Sequence, residues 1–100
     1  MLHTSLHSTR DLLKRAFPHG IGGDDRLGVI AHLYPHMAHG PIASVIAAVT
    51  GCDMGLVMNE VLVAGAGGSA VDEAFYRVAE RLGAAGFDQW AKEEETEILP

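Results

Sequence analysis

This sequence is poor in cysteine, in aromatic side chains and in basic charge. Its single cysteine, Cys52, excludes an intramolecular disulfide. Aromatic residues make up 6% of a chain that is 48% hydrophobic, and this mixture of small and aliphatic side chains favours packed helices. Seven Lys and Arg against 13 Asp and Glu give a net charge of −6, the wrong sign for a protein that neutralises nucleic-acid phosphates or anionic lipid. We therefore expect no nucleic-acid partner.

Long hydrophobic runs are also absent. The least polar span, residues 27–71, is interrupted by Pro35, Pro41 and two acidic side chains, so no apolar segment of about 18 residues is available to cross a bilayer. Near the N-terminus, charged residues between Arg10 and Arg15 lie where a signal peptide would need an apolar core. We expect a cytoplasmic protein with no membrane partner.

Residues 69–87 carry the clearest helical signal in the chain. Their apolar side chains recur at steps of four, three, four and three, which places them on one stripe of an α-helix: Val71, Phe75, Val78, Leu82 and Ala85. Ser69, with Asp72 three residues later, is predicted to cap the start of this helix. Glu73 and Arg77 are predicted to pair at i, i+4 spacing. All of these local signals favour the same helix.

A glycine and an aromatic residue end this pattern. Gly86 is predicted to adopt the left-handed conformation that ends a helix, and Phe87 is predicted to fold back onto its last turn. Further on the sequence changes to a charge run, residues 92–97, which is typical of a solvated and mobile segment. We therefore divide the chain into a helical domain, residues 1–88, and a flexible acidic C-terminal tail, residues 89–100.

Four more helices are predicted from apolar spacing and from the positions of glycine and proline: residues 4–16, 24–35, 41–51 and 54–64. Pro18 ends the first, and Asp24 or Asp25 is predicted to cap the second. Pro41 suits the first residue of the third, and Asp53 is predicted to cap the fourth. The fold class that follows is all-α, a compact single-domain bundle of about five helices.

Two short motifs frame most of the chain. The first is aromatic-Pro-x-Gly-aliphatic, from Phe17 to Ile21, and the second is Arg-Val-x-x-x-Leu-x-x-x-Gly-aromatic, from Arg77 to Phe87. With an acidic cap and Val/Ile helix stripes between them, they resemble a small actinobacterial, mycobacterial-type family of all-helical domains of unknown function. Asp88 departs from the family's pattern, which has Pro there. The resemblance implies a monomeric bundle of five helices, and it implies no activity, cofactor or catalytic residue.

His32, His36 and His39 form the most suggestive cluster of side chains. Imidazoles four and three residues apart converge on a metal when they share one helical face. Pro35 interrupts that face, and a four-coordinate site would need a distant ligand such as Cys52. We therefore predict no metal or cofactor site, and keep binding of a metal or small ligand by this loop as the alternative function.

No residue is predicted to be catalytic. Cys52 precedes a helix, which favours a thiolate, but the adjacent carboxylate of Asp53 opposes it, so we expect Cys52 to be a small apolar plug. Asp53 and Glu60 are the only carboxylates in residues 27–71, and Asp53 is assigned to capping. The Gly-rich connector of residues 19–23 lacks the Lys-Ser or Lys-Thr pair of a phosphate loop. The protein is predicted not to be an enzyme.

The third and fourth predicted helices imitate a helix-turn-helix, with small and apolar residues at roughly the expected offsets: Ile46, Ala47, Gly51 and Val57. Charge opposes this interpretation, because no Lys or Arg occurs between Arg26 and Arg77. The second helix would offer a DNA groove only Asn59 and Glu60 as polar groups. Nucleic-acid binding therefore ranks last.

The fourth predicted helix has apolar residues on two sides. One broad face is assigned to the core: Met54, Val57, Met58, Val61 and Ala64. Leu56 and Val63 lie together on the opposite side and flank Asn59. Either this helix is central and covered on both sides, or Leu56 and Val63 are exposed for a partner helix. We predict a monomeric, non-enzymatic protein–protein interaction module, and the exposure of these two residues decides whether that prediction keeps its support.

Overall fold

The computed structural model describes the backbone of residues 4–98 and the side chains of residues 6–92. Within these limits the chain forms six α-helices and no strand: α1 Thr4–Ala16, α2 Gly23–Leu33, α3 His39–Thr50, α4 Met54–Ala66, α5 Ser69–Ala84 and α6 Phe87–Ile98. The predicted all-α fold class is confirmed. The radius of gyration is 12.4 Å, close to the value of about 13 Å for a compact domain of this length.

Helix α1 spans the predicted residues, and Pro18 lies just beyond its end. Leu12 and Leu13 are fully buried, and Phe17 follows the helix into the core with 3% of its surface exposed. The guanidinium carbon of Arg81, in α5, lies 5.5 Å from the centroid of the Phe17 ring. This cation–π contact joins the start of the bundle to its fifth helix.

Helices α2 and α5 form the most extensive pair in the bundle. Gly28 is buried in α2, and a Cβ at this position would lie 2.5 Å from the carbonyl carbon of Ala74 in α5. The absence of a side chain therefore lets the two helix backbones meet. On the surface of the same pair, Arg77 donates a hydrogen bond to Asp25 at 2.7 Å. Arg77 thus pairs across the two helices and not, as predicted, with Glu73 on its own helix.

The connection between α3 and α4 follows the sequence prediction closely. Asp53 caps α4, and its Oδ2 accepts a hydrogen bond from the backbone N–H of Gly55 at 2.9 Å. Gly51 ends α3 in the left-handed conformation, with φ of 75°. Helix α3 begins at His39, two residues before Pro41, so this proline lies within the first turn, where its missing N–H has no helical partner to lose.

Two predicted caps are wrong. The residue before α2 is Gly22 and the residue before α5 is Gly68, and no side chain caps either helix. Asp24 and Asp25 lie inside the first turn of α2, where their charge favours the positive helix start. Ser69 is already helical, because Gly68 supplies the entry to α5 with a φ of 114° that other residues rarely adopt.

The core is aliphatic and lies where the first five helices meet. Ten of its larger side chains have no measurable exposure: Leu12, Leu13, Val29, Ile30, Leu33, Ile42, Val45, Ile46, Val57 and Val61. The predicted stripe of α5 contributes Val71, Val78 and Leu82, all buried. Phe75 is half-buried, and Ala74 takes the inner position beside it with 1% exposure.

Helix α6 was not predicted, and it makes the bundle six helices instead of about five. It runs across the boundary placed at residue 88. Trp90 is 2% exposed, and its indole N–H donates a hydrogen bond to the hydroxyl of Thr9 at 3.0 Å. Phe87, Trp90 and Ala91 form a short apolar stripe that docks this helix before the charge run begins. The flexible tail was predicted to be residues 89–100; of these, residues 89–92 belong to α6, and the side chains of residues 93–100 lie outside the described part of the chain.

Phe87 departs from its predicted place at the end of α5. Gly86 does adopt the left-handed region, with φ of 99°. Phe87 then opens α6, and its ring lies 5.5 Å from that of His32 in α2. The turn therefore directs the aromatic residue onto α2, because the chain continues as a helix instead of folding back.

No single helix among the described residues is long and apolar enough to cross a membrane. Helices α4 and α5 pass the same criteria of length and composition when taken together, but they are bent by 102° at the break between them.

Candidate functional site

A stripe of exposed side chains lies along α4. Leu56, Leu62 and Val63 have 47%, 59% and 45% of their surface exposed. Asn59 and Ala66 lie on the same side of the helix and are exposed as well. At about 100° per residue these five positions cover about 120° of the helix surface, and we name them the α4 outer face. Asn59 is its one polar side chain.

The opposite side of α4 is buried. Val57 and Val61 are fully buried and Ala64 is 8% exposed, because α2 and α3 pack against this side. The interpretation of α4 as a central helix covered on both sides is therefore wrong, and Leu56 and Val63 are exposed. Met54 was assigned to the core and is 45% exposed, since as the first residue of the helix it projects beyond its neighbours.

An ion pair holds α4 against α2. Arg26 donates from Nε and Nη2 to the two carboxylate oxygens of Glu60, at 2.8 and 3.0 Å, and from Nη1 to the backbone carbonyl of Ile21 at 3.2 Å. The two side chains are 14% and 15% exposed. The hydrogen bond to Glu60 raises the pKa of Arg26 above its already high value. This bidentate geometry fixes the rotation of α4, and with it the direction of the α4 outer face.

His32 joins α2 to α5. Its ring stacks on that of Phe75, with centroids 3.7 Å apart and planes 4° apart, and its Nε2–H donates to the backbone carbonyl of Phe75 at 2.9 Å. Burial lowers the pKa of His32 below its ordinary value, and the hydrogen bond offsets part of that effect. Because the folded chain then binds the proton less readily than the unfolded chain, His32 contributes stability above about pH 6.5 that is lost as the pH falls through the folded pKa.

Of the other two residues of the histidine cluster, His36 shares Phe87 with His32, whereas His39 contacts a separate ring. The ring of His36 lies edge-on to Trp90 at 5.6 Å, and that of His39 lies 4.9 Å from Tyr34. Of the two ring nitrogens of His32, Nε2 is already engaged with the backbone carbonyl of Phe75. Among the described residues, no group of three or more His, Cys, Asp or Glu side chains is placed to hold a metal ion.

The Gly-rich connector and Cys52 line one cavity of about 320 Å³. Cys52 is half-buried there, and its backbone N–H donates to the hydroxyl of Thr50 at 3.2 Å. The guanidinium of Arg26 also reaches this cavity, but its charge is matched by Glu60. Asp53 is engaged in capping, so the two carboxylates weighed as an acid and base pair have separate structural partners.

Helices α3 and α4 were predicted to imitate a helix-turn-helix, and their buried and exposed sides bear on that interpretation. Ile46 and Val57 are fully buried, as that motif would require. The exposed side of α4, where a recognition helix would carry cations, is the apolar α4 outer face. Glu60, one of its two predicted polar contacts, instead pairs with Arg26.

Sequence reasoning identified Leu56, Asn59 and Val63 but missed Leu62, the most exposed leucine on α4. The helical periodicity showed that Leu62 lies at the edge of the stripe, but whether an edge position is covered depends on the neighbouring helix.

Comparison of the chain with family models, with curated proteins and with solved structures finds no match. The resemblance to an actinobacterial family stays a prediction.

Proposed function

We propose that this chain is a non-enzymatic protein–protein interaction module that acts in the cytoplasm as a monomer and binds a helix of a protein partner on the α4 outer face. The observation that carries the proposal is the exposure of Leu56, Leu62 and Val63 on one side of one helix. Apolar side chains exposed along one face of a helix are the feature by which one helix docks on another.

A partner helix suits the shape of this surface. Helix α4 has 13 residues and is therefore about 20 Å long. Leu56 and Val63 are seven residues apart and Asn59 lies between them, which is the i, i+3, i+7 pattern by which helices pack together. The surface bears no charged side chain that a partner would have to desolvate.

The experiment compares two lysine substitutions of matched charge. Leu56→Lys changes the α4 outer face, and Tyr76→Lys changes a side chain of α5 that is 76% exposed and lies outside it. Both positions are exposed, so we expect both variants to keep the circular dichroism spectrum and melting temperature of the wild type to within a few degrees. Each variant is then used for affinity capture from a native lysate of the source organism.

A photo-reactive residue at position 62 makes the assay specific to contact with the surface. We expect a protein that cross-links to position 62 in the wild type and in Tyr76→Lys, and that is lost in Leu56→Lys. Identical capture and cross-linking by all three proteins would contradict the proposal, because the α4 outer face would then be irrelevant to association.

A further inference from the structure

The charged residues that most closely flank α4 along the chain are acidic, and Glu60 within it is paired with Arg26. Between Arg26 and Arg77 the charged residues are Asp53, Glu60, Asp72 and Glu73, and none of the residues between is Lys or Arg. Glu60 is matched by Arg26. In the part of the chain whose side chains are described, the salt bridges involve neither Asp53 nor Asp72 nor Glu73. In that part of the chain, therefore, no basic side chain neutralises these three carboxylates.

These three carboxylates lie at the two ends of α4. Asp53 is the residue directly before the helix, and it is exposed. Asp72 and Glu73 are exposed in the first part of α5, which begins three residues after Ala66. The length of the chain limits the distance of their Cα atoms from the end of α4 to at most about 17 Å, since three virtual bonds of about 3.8 Å and about one helical turn separate them. Helix α4 thus has one acidic residue directly before it and two more that follow it closely along the chain.

We propose that the partner segment is an amphipathic helix whose apolar stripe is flanked by Lys or Arg at both ends, an inference that rests on the proposed function. Basic flanks of such a helix, laid along α4, would meet Asp53 at one end and the pair of Asp72 and Glu73 at the other. Electrostatic complementarity of this kind raises the association rate and suppresses partners with acidic flanks.

The same charges disfavour a second copy of this chain as the occupant. If two copies pack antiparallel through α4, Asp53 of each meets Asp72 and Glu73 of the other, and if they pack parallel, like residues meet.

Two synthetic helical peptides of about 16 residues test the inference. Both carry Leu at the same i, i+3, i+7 positions; one has Lys and Arg at both ends and the other has Glu there. Binding to the full chain is measured by fluorescence anisotropy. We expect the basic peptide to bind about tenfold more tightly at low ionic strength, as two or three exposed ion pairs would give. Salt of about 0.5 M should reduce the difference to about twofold.

A pair of charge reversals locates the effect. Asp72→Lys with Glu73→Lys should remove the preference for the basic peptide. Glu80→Lys with Asp88→Lys makes the same change of net charge on exposed residues away from α4, and Asp88, like Asp72, lies in the first turn of its helix. This control should keep the preference. An equal loss in both double variants would overturn the inference, because the peptide would then respond to net charge alone.

The inference and the proposed function fail differently. If both peptides bind equally and Leu56→Lys abolishes binding of both, the surface docks helices and the inference about basic flanks is wrong. If binding of both peptides is unchanged by Leu56→Lys, the proposed function itself is wrong. If sedimentation shows a dimer of the wild type that Leu56→Lys dissociates, the occupant is a second copy and the inference is overturned.

Discussion

Replacement of Gly28 by alanine tests the close approach of α2 and α5. The added Cβ would overlap the carbonyl oxygen of Ala74 and lie 3.0 Å from the backbone nitrogen of Phe75. These obstructing atoms belong to a helix backbone and cannot rotate aside. We therefore take the upper part of the usual range for overpacking, about 3 kcal/mol. Alanine favours a helix over glycine by about 1 kcal/mol, which leaves a net destabilisation of about 2 kcal/mol.

Gly83→Ala is the matched control. Gly83 is an exposed residue of α5, and a Cβ there would meet nothing within 4 Å. The same substitution should therefore be neutral or stabilise by up to about 1 kcal/mol. Urea unfolding followed by circular dichroism measures the free energy of unfolding of both variants, and in thermal unfolding Gly28→Ala should lower the melting temperature by about 8–16 °C. A Gly28→Ala protein as stable as Gly83→Ala would refute the close helix pair.

Three further predictions follow from the contacts of single side chains. The melting temperature of the wild type should fall between pH 7 and pH 5 more steeply than that of His32→Phe, because His32 has a lowered pKa and resists protonation in the folded state; equal slopes would contradict this. Trp90→Ala should destabilise the protein by about 3–5 kcal/mol, as loss of a buried aromatic residue does; an unchanged urea midpoint would mean that α6 is not docked. Glu60→Ala should cost about 2–3 kcal/mol by leaving Arg26 unpaired, and the double change of Arg26 and Glu60 to Leu should cost less; a double variant less stable than the single one would show that the ion pair itself stabilises the fold.

Local interactions explain which parts of the fold could be predicted. Asp53 caps α4 through amides two and three residues ahead, and Gly51 ends α3 through its own backbone angle. Both effects depend on a few neighbouring residues, so the sequence alone is enough to predict where α3 ends and α4 begins. Helix α6 was not predicted because its docking depends on a hydrogen bond between Trp90 and Thr9, which lies 81 residues earlier in the chain. The run of charged residues after Trp90 is typical of a solvated segment, so the sequence pattern favoured a tail and not a docked helix.

The same distinction applies within helices. Periodicity identified Val78 and Leu82 as core residues, and both are 1% exposed. It placed Phe75 on the same stripe, but Ala74 occupies the inner position because Gly28 lets the helix backbones meet there. Which of two adjacent residues faces inward depends on the partner helix, and a single helical pattern does not contain that information.

The candidate site was predictable in outline only. Periodicity revealed that Leu56 and Val63 lie opposite the core face of α4, but not whether another helix covers them. That outcome depends on how six helices pack, and in particular on α2 and α3 sharing the same side of α4. The separation of His39 from the other two histidines has the same origin, since its ring contacts Tyr34 while the rings of His32 and His36 both lie against Phe87.

The central claim, that the α4 outer face is open to solvent, is tested most directly by nuclear magnetic resonance of methyl groups in the presence of a soluble paramagnetic chelate. The free wild-type protein is used, and relaxation enhancement is compared between two sets of residues on the same helix. We predict strong enhancement for the methyls of Leu56, Leu62 and Val63 and little for those of Val57 and Val61. Equal protection of both sets would contradict the account.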